Sequence, residues 1–324
     1  MVEFPGIQPN PTYAKVQEGT RLARKHNVDM ILAVGGGSVI DCCKAVSLAA
    51  RYEGDIWEDY WEQPGIIQCQ PLPLGVIVTA AGTGSECNGG AVITHEEKKI
   101  KGALWGAQAD FAFLDPSYTL TVPMKQVISG AFDTLSHAME TYFGKPDENN
   151  LSDDINEAVM RSVIRNTRVL LTDPENYDAR SELAWASAMA ENGILKIGKV
   201  TDFQCHMIEH QLGAYTNCNH GAGLAVIHPV LYRHIYKSGT ARFARWAQNV
   251  WGIASKGSDD ETALAGIDAL AAFIKEIGLP TTFAELGIPA DTDFRAIADS
   301  TVFTGGCCKK LTHDEIYDIL CECK

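Results

Sequence analysis

The chain changes character near Asp115-Pro116, and this break constrains its fold more than any other feature. Before it, short apolar runs alternate with helical segments. Asn10-Pro11 opens a helix running through His26, with Asn10 as N-cap and Pro11 at the first helical position. MILAV (30–34) is a short apolar strand ended by Gly35-Gly36-Gly37, and the helix that follows runs from Ser38 to about Arg51. Ser38 and Asp41 stand at capping-box spacing at its start. LGVIV (74–78) reads as a second buried strand, and AVIT (91–94), KGALW (101–105) and FAFLD (111–115) are further strand candidates. Such alternation predicts an α/β domain with a parallel, doubly wound, Rossmann-like sheet. Beyond Pro116 the signals are helical, at 123–143, 151–171, 174–193, 203–213, 220–236, 239–251, 259–277 and 311–321. The expected architecture is an α/β domain over 1–116, an all-helical domain over 117–324, and a cleft between them.

Two helical segments concentrate potential metal ligands. Asp133 and His137 lie in GAFDTLSHAMET, and His206, His210 and His220 lie in HMIEHQLGAYTNCNHG. A spacing of four puts Asp133 and His137 on one helical face and His206 and His210 on another. One carboxylate with several imidazoles suits Fe(II) or Zn(II). An Asp-x-x-x-His pair alone is as readily a surface pair or a satisfied core pair, but five candidates on two segments favour a metal centre. Spacing by itself pairs His206 with His210.

Composition narrows the partners. With 27 basic and 41 acidic residues the net charge is −14, which argues against nucleic acid and anionic membranes and leaves small or neutral substrates. The ten cysteines are scattered without a secreted-scaffold spacing, and no signal peptide or long apolar run is visible, so a reduced, cytoplasmic setting with free thiols is expected. Adjacent Cys42-Cys43 on one helix cannot both face one ion, which argues against a cysteine-based zinc site.

Two glycine-rich turns follow strands. VGGGSVID opens a helix, where glycines let backbone approach a phosphate and the helix start supplies positive N–H groups. TAAGTGSEC (79–87) carries Thr79, Thr83 and Ser85 among flexible glycines. The first lacks the GxGxxG spacing, and either could be a simple tight turn. Two such loops at the carboxyl ends of neighbouring strands nevertheless define the crevice where dinucleotides bind. Lys101 adds charge at the sheet edge, unless it is one more solvated member of the run with Lys98 and Lys99.

GGGSVIDCCKA, TAAGTGSE, FLDP, GAFDTLSHAMET and HMIEHQLGAYTNCNHG, in this order and spacing, resemble the iron-containing (group III) alcohol dehydrogenases, nearest their butanol dehydrogenase branch. The resemblance implies that Asp133, His137, His206 and His220 hold the metal, with His210 beside it handling a proton. It implies that Gly36, Gly37, Ser38 and Asp41 bind the phosphates of NAD(H) or NADP(H), and that Thr79, Thr83, Ser85, Asn88 and Lys101 line the rest of that cleft. The implied activity is reduction of small to medium aliphatic aldehydes, or oxidation of the alcohols, by a homodimer or larger assembly. Trp105, Phe132, Ile197 and Phe303 are the apolar residues expected to reach the substrate. Family members carry a further segment ahead of the stretch matching EFPGIQPNP, where the choice between NADH and NADPH is usually made, so the first strands are expected to be missing and cofactor preference is not legible. Two rival readings are a catalytically silent metal-binding paralogue and a lyase of the dehydroquinate synthase type. The lyase would need a basic cluster, for which Lys196 and Lys199 are the nearest pair.

Overall fold

A computed structural model of the chain describes residues 1–61 and 69–324. Its first part contains helix α1 (Tyr13–Lys25), strand β1 (Ile31–Gly35), helix α2 (Gly37–Arg51) and strands β2 (Leu74–Val78), β3 (Gly90–His95), β4 (Ile100–Trp105) and β5 (Phe111–Phe113). Strands β1, β2 and β5 form a parallel sheet with β2 in the middle, Ile31 opposite Leu74 and Gly75 opposite Phe111. Ile40 and Cys43 of α2 pack with Ala33, Leu74, Val76 and Val78 beneath the sheet, while Leu32, Val34, Phe111 and Phe113 are exposed. The β3–β4 pair departs from the parallel expectation: it is an antiparallel ribbon, with Gly90 opposite Trp105 and His95 opposite Ile100. Residues 96–99 are far too few for the crossover that a parallel pair requires.

Both helix starts in this part also differ from expectation. The α1 N-cap is Thr12, whose hydroxyl accepts the Lys15 N–H at 3.2 Å, because Asn10 turns into the left-handed region (φ 52°) and sends its side chain elsewhere. Gly36 caps α2 without a side-chain bond, so Ser38 and Asp41 form no capping box. Asp41 instead accepts the Val92 N–H at 2.9 Å and the Ser85 hydroxyl, which ties α2 to the loop after β2. The N–H groups at the start of α2 are thereby left without a side-chain acceptor from their own helix.

From Pro116 onward the fold is helical: α3 (Met124–Tyr142), α4 (Leu151–Thr172), α5 (Tyr177–Glu191), α6 (Gln204–Thr216), α7 (His220–Ile235), α8 (Thr240–Asn249), α9 (Asp259–Glu276), α10 (Phe283–Leu286), α11 (Phe294–Ser300) and α12 (His313–Glu322). The short α10 and α11 escape the periodicity reading. Capping boxes at Asn150/Asp153, Ser258/Glu261 and Thr312/Glu315 fix the starts of α4, α9 and α12. Helix α3 is buried on every side from Ser129 to Tyr142, polar residues included, which marks it as the central helix against which α4, α5 and α7 pack. The core is aromatic at one end, where Phe143 stacks on Phe243 at 3.9 Å and both meet Trp246 edge-on. Among the described residues no helix is long and apolar enough to cross a membrane, and all ten cysteines are free. Phe243→Ala is expected to cost about 3–5 kcal/mol, read as a lower urea midpoint of the tryptophan fluorescence transition; an unchanged midpoint would contradict this packing.

Candidate metal centre and cofactor cleft

The helical part turns one carboxylate towards three imidazoles. Asp133 and His137 sit one turn apart on α3, His206 lies in the first turn of α6, and His220 is the first residue of α7. The Nε2 atoms of His206 and His220 each stand 3.4 Å from Asp133 Oδ1, and that of His137 stands 3.7 Å away. Donors about 2.0–2.1 Å from a tetrahedral ion are themselves about 3.4 Å apart, so this spacing fits an ion between them. Asp133 Oδ1 and His206 Nε2 are buried without a hydrogen-bond partner, as atoms facing a cation would be. Donor atoms of Asp133, His206 and His220 all lie within 4.8 Å of one another. His137 joins them through Asp133, its ring stacked on His206 at 4.5 Å.

Tight approaches hold this arrangement. A Cβ at Gly221, in the first turn of α7, would lie 2.2 Å from the Ser129 carbonyl oxygen, so glycine lets α7 close onto α3. A Cβ at Gly37 would lie 2.4 Å from the Thr83 side chain, so the two glycine-rich loops touch. Together they border a cleft of about 1500 Å³ that runs from these loops to Asp133 and the histidines. Gly36, Gly37, Ser38, Asp41, Thr83, Ser85, Asn88 and Lys101 line one side of it. Thr79 is not on its wall, and its N–H extends the sheet by bonding Gly35 O at 3.0 Å. Of the expected substrate contacts only Trp105 lines the cleft. Phe132 is in the core beside His228, Ile197 is exposed away from the lining, and Phe303 stacks on His313. Ile7, Trp57, Trp61, Phe203, Met207 and Val302 add to its apolar lining.

Residues 1–116 match the family described as iron-containing alcohol dehydrogenase, and 127–323 match the C-terminal part of the Fe-containing alcohol dehydrogenase family. A probable NADH-dependent butanol dehydrogenase of Bacillus subtilis is 37% identical over 98% of this chain and 83% of its own length. The NADPH-dependent aldehyde reductase YqhD of Escherichia coli is 37% identical over 89% of this chain and 75% of its own. Among solved structures, NADH-dependent butanol dehydrogenase A of Thermotoga maritima superposes with a TM-score of 0.93 at 34% identity, covering 99% of this chain and 83% of that one. The chain belongs to the iron-containing alcohol dehydrogenases.

In this alcohol dehydrogenase two further carboxylates complete the centre. Glu140 Oε2 meets His206 Nδ1, and Glu209 Oε2 meets His220 Nδ1. Each fixes its imidazole so that Nε2 points towards Asp133. Their positions carried a signal, since Glu140 follows His137 by three residues and Glu209 follows His206 by three, on the same helical faces. Lys101 is not a solvated lysine: it is 5% exposed and its Nζ donates to Asn10 Oδ1 at 3.1 Å and Glu209 Oε2 at 3.4 Å.

The electrostatics are those of a site built around positive charge. Burial alone would raise the Asp133 carboxyl, but His137 and His220 beside it hold it well below the usual carboxylate range. Burial opposes charging of His206, yet Glu140 and Asp133 push its pKa up to about 10. His210 behaves oppositely: burial first, then Lys101 and His220, keep it well below the ordinary imidazole value. It lines the cleft with its ring 5.6 Å from that of His220, and so presents a neutral imidazole there.

Replacing Glu140 with Gln is expected to weaken divalent-metal binding by about ten- to a hundredfold, measured by titrating the metal-free protein; unchanged affinity would show that His206 does not depend on it.

Proposed function

We propose that this enzyme reduces small to medium aliphatic aldehydes such as butanal, and oxidises the corresponding alcohols, with NADH or NADPH and one Fe(II) or Zn(II) per chain. The observation that carries this reading is Asp133 Oδ1 ringed by three imidazole nitrogens within the same cleft that both glycine-rich loops border. Asp133, His137, His206 and His220 would hold the ion, which when bound polarises a carbonyl oxygen as a Lewis acid. Residues 1–116 form the cofactor side and 117–324 the metal side. Gly36, Gly37 and Ser38 offer backbone N–H groups at the start of α2 to the cofactor phosphates. Asp41 acts at one remove, holding Ser85 and Val92 in place. Thr83, Ser85, Asn88 and Lys101 line the rest of that side.

His210 is the residue we assign to proton handling. It lines the cleft beside His220, ring centres 5.6 Å apart, where an imidazole can pass a proton between an alcohol hydroxyl and solvent. Apolar Phe203, Met207 and Val302 limit water around the reacting carbon. A lyase acting on a phosphorylated substrate fits less well, because Lys199 is tied to Asp153 at 3.2 Å and Lys196 to Glu191 at 2.9 Å, leaving no free basic cluster on this wall among the described residues. A homodimer or larger assembly and a cytoplasmic setting belong to the same proposal; light scattering that gives the mass of one chain would remove the former.

The test is butanal reduction by the metal-loaded protein at saturating NADH and, separately, NADPH. Turnover with at least one cofactor is expected, and His210→Ala should retain the metal while kcat falls about a hundredfold. No turnover with either cofactor and either metal would overturn the dehydrogenase reading, and metal loss in His210→Ala would make His210 a ligand.

A further inference from the structure

Two of the three imidazoles assigned to the metal are held at Nδ1 by a carboxylate, and the third is not. Glu140 takes His206 and Glu209 takes His220, but His137 Nδ1 is buried without a hydrogen-bond partner. Metal-binding imidazoles nearly always donate from their second nitrogen, which fixes tautomer and orientation together. The His137 ring lies nearly parallel to those of His206 and Phe203, at 4.5 and 5.8 Å. Stacking of this kind sets the plane of the ring but not which edge faces the ion. His137 Nε2 is also the farthest of the three from Asp133 Oδ1, at 3.7 Å against 3.4 Å.

A matching acceptor stands at the end of α5. Glu191, its last residue, is 6% exposed and lines the cleft along with His137. Its Oε2 accepts from Lys196 Nζ at 2.9 Å and from Asn88 Nδ2 at 3.2 Å, whereas its Oε1 is buried and unpaired. Burial holds the His137 imidazole below its usual value; of the charges acting on it, Glu191 ranks second only to Asp133 and ahead of His206. The carboxylate is also anchored from behind. A Cβ at Gly84 would lie 2.5 Å from Glu191 Cβ, and Ser187, one turn earlier, accepts the Gly82 and Gly84 N–H groups at 3.1 Å. The end of α5 is thus pinned against the loop after β2.

We propose that Glu191 is the positioning carboxylate of His137: with the ion bound, Glu191 Oε1 accepts the His137 Nδ1–H, so that each imidazole of the centre is backed by its own glutamate. The proposal rests on the metal-centre reading above. An imidazole that gives its Nε2 lone pair to a cation carries its proton on Nδ1 and becomes a donor there. A buried donor and a buried carboxylate oxygen are each costly while unpaired, and one bond between them removes both costs. The bond forms when the ion fixes the tautomer. Lys196 and Asn88 serve it by occupying Oε2, which leaves Oε1 as the oxygen available to the imidazole. Through Asn88 and Gly84 the same carboxylate joins the cofactor-side loop to a metal ligand.

NMR of the Zn(II)-loaded chain, labelled at histidine nitrogen, reads the Nδ1–H signals of the metal-bound imidazoles, and titration of the metal-free protein reads its affinity. Glu191→Leu is expected to shift one of those signals and leave the ones held by Glu140 and Glu209, while divalent-metal affinity falls about ten- to a hundredfold. Glu191→Gln, the closest in shape, should move the same signal and decides the matter if Glu191→Leu does not fold. Lys196→Met removes the partly exposed cation behind Oε2 and should leave both readouts unchanged. If neither Glu191 variant moves an Nδ1–H signal, the assignment is overturned while the metal centre stands. An equal loss of affinity in Lys196→Met would also overturn it, by showing that the pair only packs this wall. If the unaltered chain takes up neither Zn(II) nor Fe(II), the metal-centre reading fails and this proposal with it.

Discussion

The rest of the structure depends on a carboxylate placed where no carboxylate is stable alone. Asp133 is 3% exposed, and its Oδ1 has no hydrogen bond. A buried charge of this kind requires opposite charge nearby. Three helices converge to supply it, α3 with His137, α6 with His206 and α7 with His220, and each imidazole approaches Oδ1 through Nε2. The surrounding carboxylates follow from the same need, since an imidazole whose Nε2 must face a cation is best held by an acceptor at Nδ1. Glu140 and Glu209 fill that role for His206 and His220, and Lys101 balances Glu209.

A second buried charge fixes the other end of the cleft. Lys44 is fully buried, and its Nζ donates to the carbonyl oxygens of Ser85, Asn88 and Gly90 at 2.5, 2.7 and 2.7 Å. With Asp41 gripping Ser85 and Val92, it welds α2 to the loop that borders the cleft, so that loop is held from behind while its front stays open. The two ends are also joined directly. Asn10 donates to Asn217 Oδ1 at 2.9 Å and to the Cys218 carbonyl at 3.2 Å, beside His220, while accepting from Lys101 on β4. Both Asn10 and Asn217 adopt left-handed backbone, which asparagine tolerates better than most residues.

Much of this was legible in the chain, and the parts that were not share a cause. Helical spacing alone placed Asp133 with His137, and glycine runs after apolar strands marked both loops. Spacing also paired His206 with His210, whereas the structure turns His220 towards Asp133 and leaves His210 along the wall, because His220 starts a separate helix that packs against α3. Local signals misplaced the α1 cap and the α2 capping box for a similar reason: Asn10 and Asp41 had stronger long-range partners in Asn217, Ser85 and Val92. The β3–β4 ribbon was recoverable from the shortness of 96–99. Lys44 and Glu191 were not, since nothing local distinguishes a buried charged side chain from an exposed one on an amphipathic helix.

The central claim is that one divalent ion sits among Asp133, His137, His206 and His220. X-ray absorption at the metal edge of the purified, Fe(II)- or Zn(II)-loaded chain reads that coordination directly. A shell of nitrogen and oxygen only is expected, at about 2.0–2.2 Å, with the multiple scattering of three imidazoles. A sulfur shell at about 2.3 Å, or fewer than two imidazoles around the ion, would place the metal elsewhere and contradict it.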